Sequence, residues 1–373
     1  MITKSVAEIN KYVGSSVNPM ATPDQIYELY SVPSFESGSP EIVSGADVGS
    51  TKVIVEEGDI LICKINPRIN RVWVVHRNTE HQLLASSEWI VVRNASMNSD
   101  YLKWYFSSPI FRTLLTSHVT GIGGSLTRAQ PKQVAKYPVP IPSRDEQDYV
   151  ADILTRIDNL MHKYQQQIIG IEQLVKSRFI ELFGEPLSNQ KGWQTMSIME
   201  VAPIKSQRGN LADEVWLLNL DAVEAQTGTV LFKHRVQSGE INASTVYFTT
   251  ESVLYSKLRP YLNKVVMPDE DGVATSEMIP MYPLADRLNR AYLCYWLRSD
   301  AFVKHISEKV AGAKMPRVSM DYFRSLAIEM PPLELQEEFA AFVEQVDKSK
   351  LAIQQSLEKL ETLKKALMQQ YFG

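Results

Sequence analysis

The sequence is poor in residues that mark covalent or metal chemistry. Its two cysteines, Cys63 and Cys294, lie far apart in apolar stretches and form no Cys-x-x-Cys pair. That leaves no zinc-ligand spacing and no disulfide framework. The six histidines are scattered, none with another four residues away to share a metal. No run of 18 apolar residues and no charged-then-apolar leader occurs, so neither a membrane nor a secreted destination is expected, and a cytoplasmic one is. An excess of positive charge is missing too: the net charge is −4, against what a stand-alone nucleic-acid binder usually carries.

Catalytic signatures are also lacking. Gly45, Gly49, Ser50, Thr51 and Lys52 have neither the spacing nor the order of a phosphate-binding loop. The glycine-rich run from Gly121 to Gly124 does not follow a strand-to-helix turn, so a surface loop is expected rather than a dinucleotide or methyl-donor site. Pro268-Asp269 with Glu277 and Met278 has the outline of a metal-nuclease core, but Ile279 stands where that core needs lysine. Cys63 has no local base to activate it. A non-enzymatic role follows, with no cofactor bound by this chain.

What the chain does have is a duplication. Residues 123–184 align without gaps to 312–373 with 13 identities of 62, against about three expected by chance. Arg128 matches Arg317, Gln147 matches Gln336, and Asp158 matches Asp347. Within both copies apolar residues step by seven: Val150, Ile157, Tyr164 and Ile171 in one, Phe339, Val346, Ile353 and Leu360 in the other. Ile153, Leu160, Leu174, Phe342 and Leu363 complete the seam, and Leu154, Ile168, Val343 and Leu357 widen it. The pattern predicts two helices of roughly 34 residues, about 50 Å long, each needing a partner along its whole length. Ser143 with Glu146 reads as a capping box, and Gly184 with Pro186 as a stop. An ordinary helical hairpin or a dimerising coiled coil would give the same heptads. The order globule, helix, globule, helix favours two antiparallel helices with pseudo-symmetric bodies.

Residues 1–141 read as one mixed body. Prolines 19, 23, 33 and 40 exclude long elements before residue 40, strands are predicted at Lys52–Val55, Asp59–Cys63, Val72–Val75 and Trp89–Val92, and one short aromatic helix at Asp100–Phe111. Residues 185–330 retell it. Ser197–Val201 echoes Ser5–Ile9, Ser256–Val266 echoes Cys63–Trp73, Ser276-Glu277 echoes Ser87-Glu88, and Ala291–Phe302 echoes the aromatic helix. The first body carries 13 basic and 12 acidic side chains and residues 201–330 carry 15 of each, while each helix carries 5 and 7. The acidic excess therefore lies on the helices, and the bodies are free to form local basic faces.

Two such faces are candidates. Lys64, Asn66, Arg68, Asn70 and Arg71 crowd around Pro67, and Lys257, Arg259, Asn263 and Lys264 hold comparable places around Pro260. Arginine and lysine reach guanine edges or phosphates, and asparagine pairs with adenine. A solvated hairpin alternating buried and polar residues fits the same spacing. Arg128 and Arg317 are a second candidate pair, and a shared structural salt bridge fits them equally.

The segment from Ser256 to Met278, the aromatic stretch at Asp100–Phe111 with its echo, and the proline-led helices from Pro142 and Pro331 together resemble the DNA-sequence specificity subunit of type I restriction-modification systems. The resemblance spans essentially the whole chain, with Glu251-Ser252 departing from the Gly58-Asp59 of the first copy. It implies an α/β (α+β) fold of two pseudo-symmetric target-recognition domains, residues 1–141 and 185–330. Spacer helices at 142–184 and 331–373 would form an antiparallel coiled coil between them. It further implies a bipartite double-stranded DNA site, docking of two modification subunits and of restriction subunits, and S-adenosylmethionine, ATP and Mg on those partners. A coiled-coil assembly scaffold without DNA specificity is the competing reading.

Overall fold

The computed structural model of the protein describes residues 2–120, 127–209, 211–310 and 314–373, so the glycine run from Gly121 to Gly124 lies outside the described residues. The chain divides into two compact units. The first joins residues 1–165 to 355–373, and the second is residues 166–354.

In the first unit a five-stranded sheet has the order Ser16–Val17, Lys52–Ile54, Gln82–Ser86, Ile26–Tyr30, Glu41–Ser44. Ile26–Tyr30 and Gln82–Ser86 run parallel, and the other neighbours antiparallel. A second sheet is the antiparallel set Val72–Val74, Ile60–Cys63, Trp89–Val92. Its central strand is apolar throughout because both faces are covered: Ile60, Leu61 and Ile62 are all fully buried. Ile2–Ser5 pairs antiparallel with Pro138–Ile141, closing the body beside the long helix.

The second unit repeats this pairing. Glu214–Leu218 lies parallel to Gly272–Thr275, with His234–Gln237 and Thr245–Phe248 as antiparallel edges. Val253–Ser256 is flanked by Val265–Val266 and Met278–Met281, and Gln194–Ser197 pairs with Ala327–Met330. The one-turn helices Val6–Ile9 and Ile198–Val201 both open on capping boxes, Ser5 with Glu8 and Ser197 with Glu200.

Three points go beyond or against expectation. The proline-rich stretch from residue 15 to 40 keeps to short elements, among them Ile26–Tyr30, an unforeseen interior strand of the large sheet. Its flanking prolines, Pro23 and Pro33, stand outside the strand and take no ladder bond from it. The aromatic stretch is two helices, Ser99–Phe106 and Pro109–Ser117. Ser108 caps the second by accepting from the Phe111 N–H at 3.2 Å, and Pro109 occupies its first position, where no N–H is needed. The echo breaks alike, into Arg290–Arg298 and Asp300–Glu308, with Ser299 as the cap.

The third point concerns the long helices. They are Arg144–Phe183 and Leu333–Phe372, each 40 residues, hence about 60 Å by rise. The first begins with the Glu146 N–H donating to Ser143 Oγ at 3.3 Å, and Gly184 ends it at φ 82°. Within the first unit they run in opposite directions: Tyr149 meets Tyr371, and Asp158 Oδ1 receives Lys364 Nζ at 2.6 Å. Within the second, Glu172 receives Lys350 at 2.6 Å, and Arg178 reaches Glu338 at 2.7 Å. Side chains are fully buried only towards the ends, at Val150, Leu154, Phe179, Phe183, Phe339 and Phe372 among others. Leu160, Leu174 and Leu363 of the expected seam are 39, 53 and 46 % exposed, because a lone helix pair covers only a narrow strip. Among the described residues no helix is long and apolar enough to cross a membrane.

Candidate nucleic-acid interface

Each three-stranded sheet carries one eight-residue loop on its central hairpin. Lys64–Arg71 joins Ile60–Cys63 to Val72–Val74, and Lys257–Lys264 joins Val253–Ser256 to Val265–Val266. The loops superimpose bond for bond. Lys64 N–H donates to the Glu88 carbonyl at 2.9 Å, and Lys257 N–H to that of Glu277 at 3.0 Å. Asn66 N–H reaches Thr127 O at 2.9 Å, as Arg259 N–H reaches Pro316 O at 2.8 Å. The third and seventh loop residues are left-handed in both copies: Asn66 (φ 46°) and Asn70 (φ 51°), Arg259 (φ 50°) and Asn263 (φ 49°). Asparagine tolerates that region better than most side chains, and Arg259 occupies it at some cost.

The seventh residue explains its own repetition. Asn70 Nδ2 donates to Phe106 O and Asn263 Nδ2 to Arg298 O, both at 3.0 Å, tying each loop to the last carbonyl of the aromatic helix. Asn263 is 3 % exposed, and neither asparagine Oδ1 has a partner among the described residues. Both amides are thus turned into the fold, away from any ligand at the surface.

Arg128 and Arg317 also have fixed partners. Arg128 Nη2 meets Glu88 Oε1 at 3.1 Å, and Arg317 grips Glu277 through Nε at 3.0 Å and Nη2 at 2.8 Å. Those bonds to Glu277 hold the Arg317 guanidinium above its ordinary pKa. Both arginines remain about half exposed, so each ion pair sits at the loop's open side. Arg71 pairs with Glu36 at 3.0 Å, and Lys264 Nζ donates to Leu220 O at 2.6 Å, with burial pulling its pKa down. Lys64, Arg68, Lys257 and Arg259 make no side-chain hydrogen bond or ion pair among the described residues, and Arg68 and Arg259 are exposed. Beside them stand Ile69 and Tyr261, 50 and 47 % exposed, a stacking surface that charge-based reading overlooked. Arg208 over the Tyr247 ring at 5.7 Å is a further cation at the surface of the second unit that the search for repeated basic residues missed, since it has no counterpart in the first copy.

Both cysteines are buried and free, and burial pushes both thiols up. Among the described residues no three His, Cys, Asp or Glu side chains gather as metal ligands would.

Residues 190–364 match the family described as type I restriction modification DNA specificity domain. The type I restriction enzyme EcoDI specificity subunit of Escherichia coli is 26 % identical over 156 residues, which cover 41 % of this chain and 34 % of that protein. The MjaVIII specificity subunit of Methanocaldococcus jannaschii is 21 % identical over 356 residues, covering 86 % of this chain and 80 % of that one. Among solved structures, a chain from the complex assembly and conformational transition of the type I R-M system aligns over 100 % of this chain and 97 % of its own, with TM-score 0.58 and 16 % identity. The type I restriction-modification S subunit from M. genitalium aligns over 98 % and 94 %, with TM-score 0.56 and 11 % identity. At those identities the two structures establish a common fold. Residues 190–364 are thus similar to a type I restriction modification DNA specificity domain, and the chain as a whole shares its fold with type I restriction-modification specificity subunits.

Proposed function

We propose that this chain is the non-catalytic DNA-reading subunit of a methyltransferase complex, each unit addressing one half of a bipartite site through its hairpin loop. The observation that carries the reading is the pair of superimposable loops, identical in backbone bonding and different in outward side chains. Asn66 and Arg68 in one stand where Arg259 and Tyr261 stand in the other. One scaffold holding two sets of exposed groups suits two different half-sites.

The long helices serve in this reading as an antiparallel coiled coil joining domains 1–141 and 185–330, and as the dock for two modification subunits and for restriction subunits. Exposed Leu160, Ile169, Leu174 and Leu351 offer apolar contact on those helices, which also carry exposed acids such as Asp145, Asp152 and Glu334. S-adenosylmethionine, ATP and Mg belong to the partners. With a net charge of −4 the chain alone supplies few phosphate contacts, so its DNA affinity depends on the partner's.

An electrophoretic shift assay with the cognate modification subunit tests this. Sequence-selective binding is expected. Arg68→Ala should relax one half of the site and Arg259→Ala the other, each costing about 1–3 kcal/mol. Absence of selective binding in the presence of that partner would leave the scaffold reading in its place.

A further inference from the structure

At one position the two units differ in charge, and a cavity stands there. In the first unit Lys364 lies across the aromatic helix: its Nζ is 4.9 Å from the Trp104 ring centre and 2.6 Å from Asp158 Oδ1. The matching residues of the second unit are Tyr295 for Trp104, Asp347 for Asp158, and Val175 for Lys364. Valine ends two carbons short of the ammonium nitrogen that lysine carries. Where the lysine stem and head would lie, the second unit has a cavity of about 320 Å3, lined by Val175, Thr227, Met267, Tyr295 and Asp347 among others. That is the low end of the volume range of small-molecule sites, about 300–1,000 Å3.

The carboxylate left behind, Asp347, stands exposed at the edge of this cavity. Asp347 forms no ion pair or hydrogen bond among the described residues, whereas its counterpart Asp158 is paired. Two nearby lysines are paired, Lys350 to Glu172 at 2.6 Å and Lys176 to Asp300 at 2.9 Å, while Arg298 reaches the Gln226 carbonyl and the face of Tyr295 and keeps its buried Nε without a partner among the described residues. Crowding by the surrounding protein pushes the Asp347 carboxyl above its ordinary pKa, with Lys350 and Arg298 only partly offsetting it. An apolar floor, an aromatic ring and an unpaired carboxylate are what an alkylammonium needs, and Glu185 adds a second carboxylate to the lining.

We propose that this cavity binds a free aliphatic amine, its alkyl stem against Val175 and Met267 and its ammonium at Asp347, in the place the first unit fills with its own lysine. The interaction is independent of DNA recognition and requires only the folded chain.

Titration of the full-length protein with n-butylamine, the lysine side chain without its backbone, tests the site, with 1-butanol as the uncharged control. Saturable calorimetric binding with Kd on the order of millimolar is expected for the amine. The alcohol should bind at least about tenfold more weakly, and Asp347→Asn should weaken the amine by a similar factor. Glu344→Gln, one turn away on the same helix and paired with Lys348, should leave it unchanged. Equal binding of amine and alcohol, or equal losses in the Asp347 and Glu344 variants, would overturn the proposal.

Discussion

Asparagines 70 and 263 illustrate what one residue contributes here. Each combines a left-handed backbone with a hydrogen bond to a helix-end carbonyl. Asn263→Ala forfeits both, so a loss of about 2 kcal/mol is expected in urea unfolding, half from the bond and half from the backbone. Asn263→Gly keeps the conformation and should lose only about 1 kcal/mol. Glu28 makes a second case. It is wholly buried and accepts from Asn78 Nδ2 at 2.7 Å, Thr79 Oγ1 at 2.8 Å and the backbone N–H groups of both residues. Burial pushes its carboxyl up, but those bonds to the charged form win and hold it below its ordinary 4.5. A depressed folded pKa means stability that is present above about pH 4.5 and lost as pH falls through the folded value. The stability gap between wild type and Glu28→Gln should therefore narrow on acidification, as followed by urea midpoints across pH.

At the scale of elements, the sequence carried the duplication and most strands, and misjudged where helices end. Phe111 and Phe302 were visible as a matched pair, but the capping roles of Ser108 and Ser299 between two short helices were not, since an aromatic run has the same apolar content whether broken or continuous. The same blindness applied to the loops. Asn70, Asn263, Arg128 and Arg317 stood out because they recur, and they recur because each makes the same internal bond in both units. Residues that differ between copies, such as Arg68 and Tyr261, are the ones left facing outward. Repetition thus located the loop and hid which of its side chains were available. Gly170 gives an element-level prediction. A Cβ added there meets nothing within 4 Å, so close helix approach is not its reason. Gly170→Ala should raise the stability of the isolated chain by about 1 kcal/mol, measurable as a higher urea midpoint.

For the whole molecule, the proposed use of the long helices as a spacer yields a separable pair of outcomes. Inserting one helical turn in both should change the preferred gap between half-sites in a binding selection and leave the half-sites themselves as they were. Exchanging residues 1–141 for those of a relative should change one half-site and keep the gap. An unaltered gap after insertion would remove the helices from that role.

The first unit is completed by residues that follow the entire second unit: Phe372 packs 5.6 Å from Tyr101 and 5.8 Å from Tyr105, and Met368 is buried in the same cluster. During translation the earlier-made body therefore stays unsealed while the later one can already close. A released fragment ending at residue 354 should expose protease sites within residues 1–165 and protect those within 185–330.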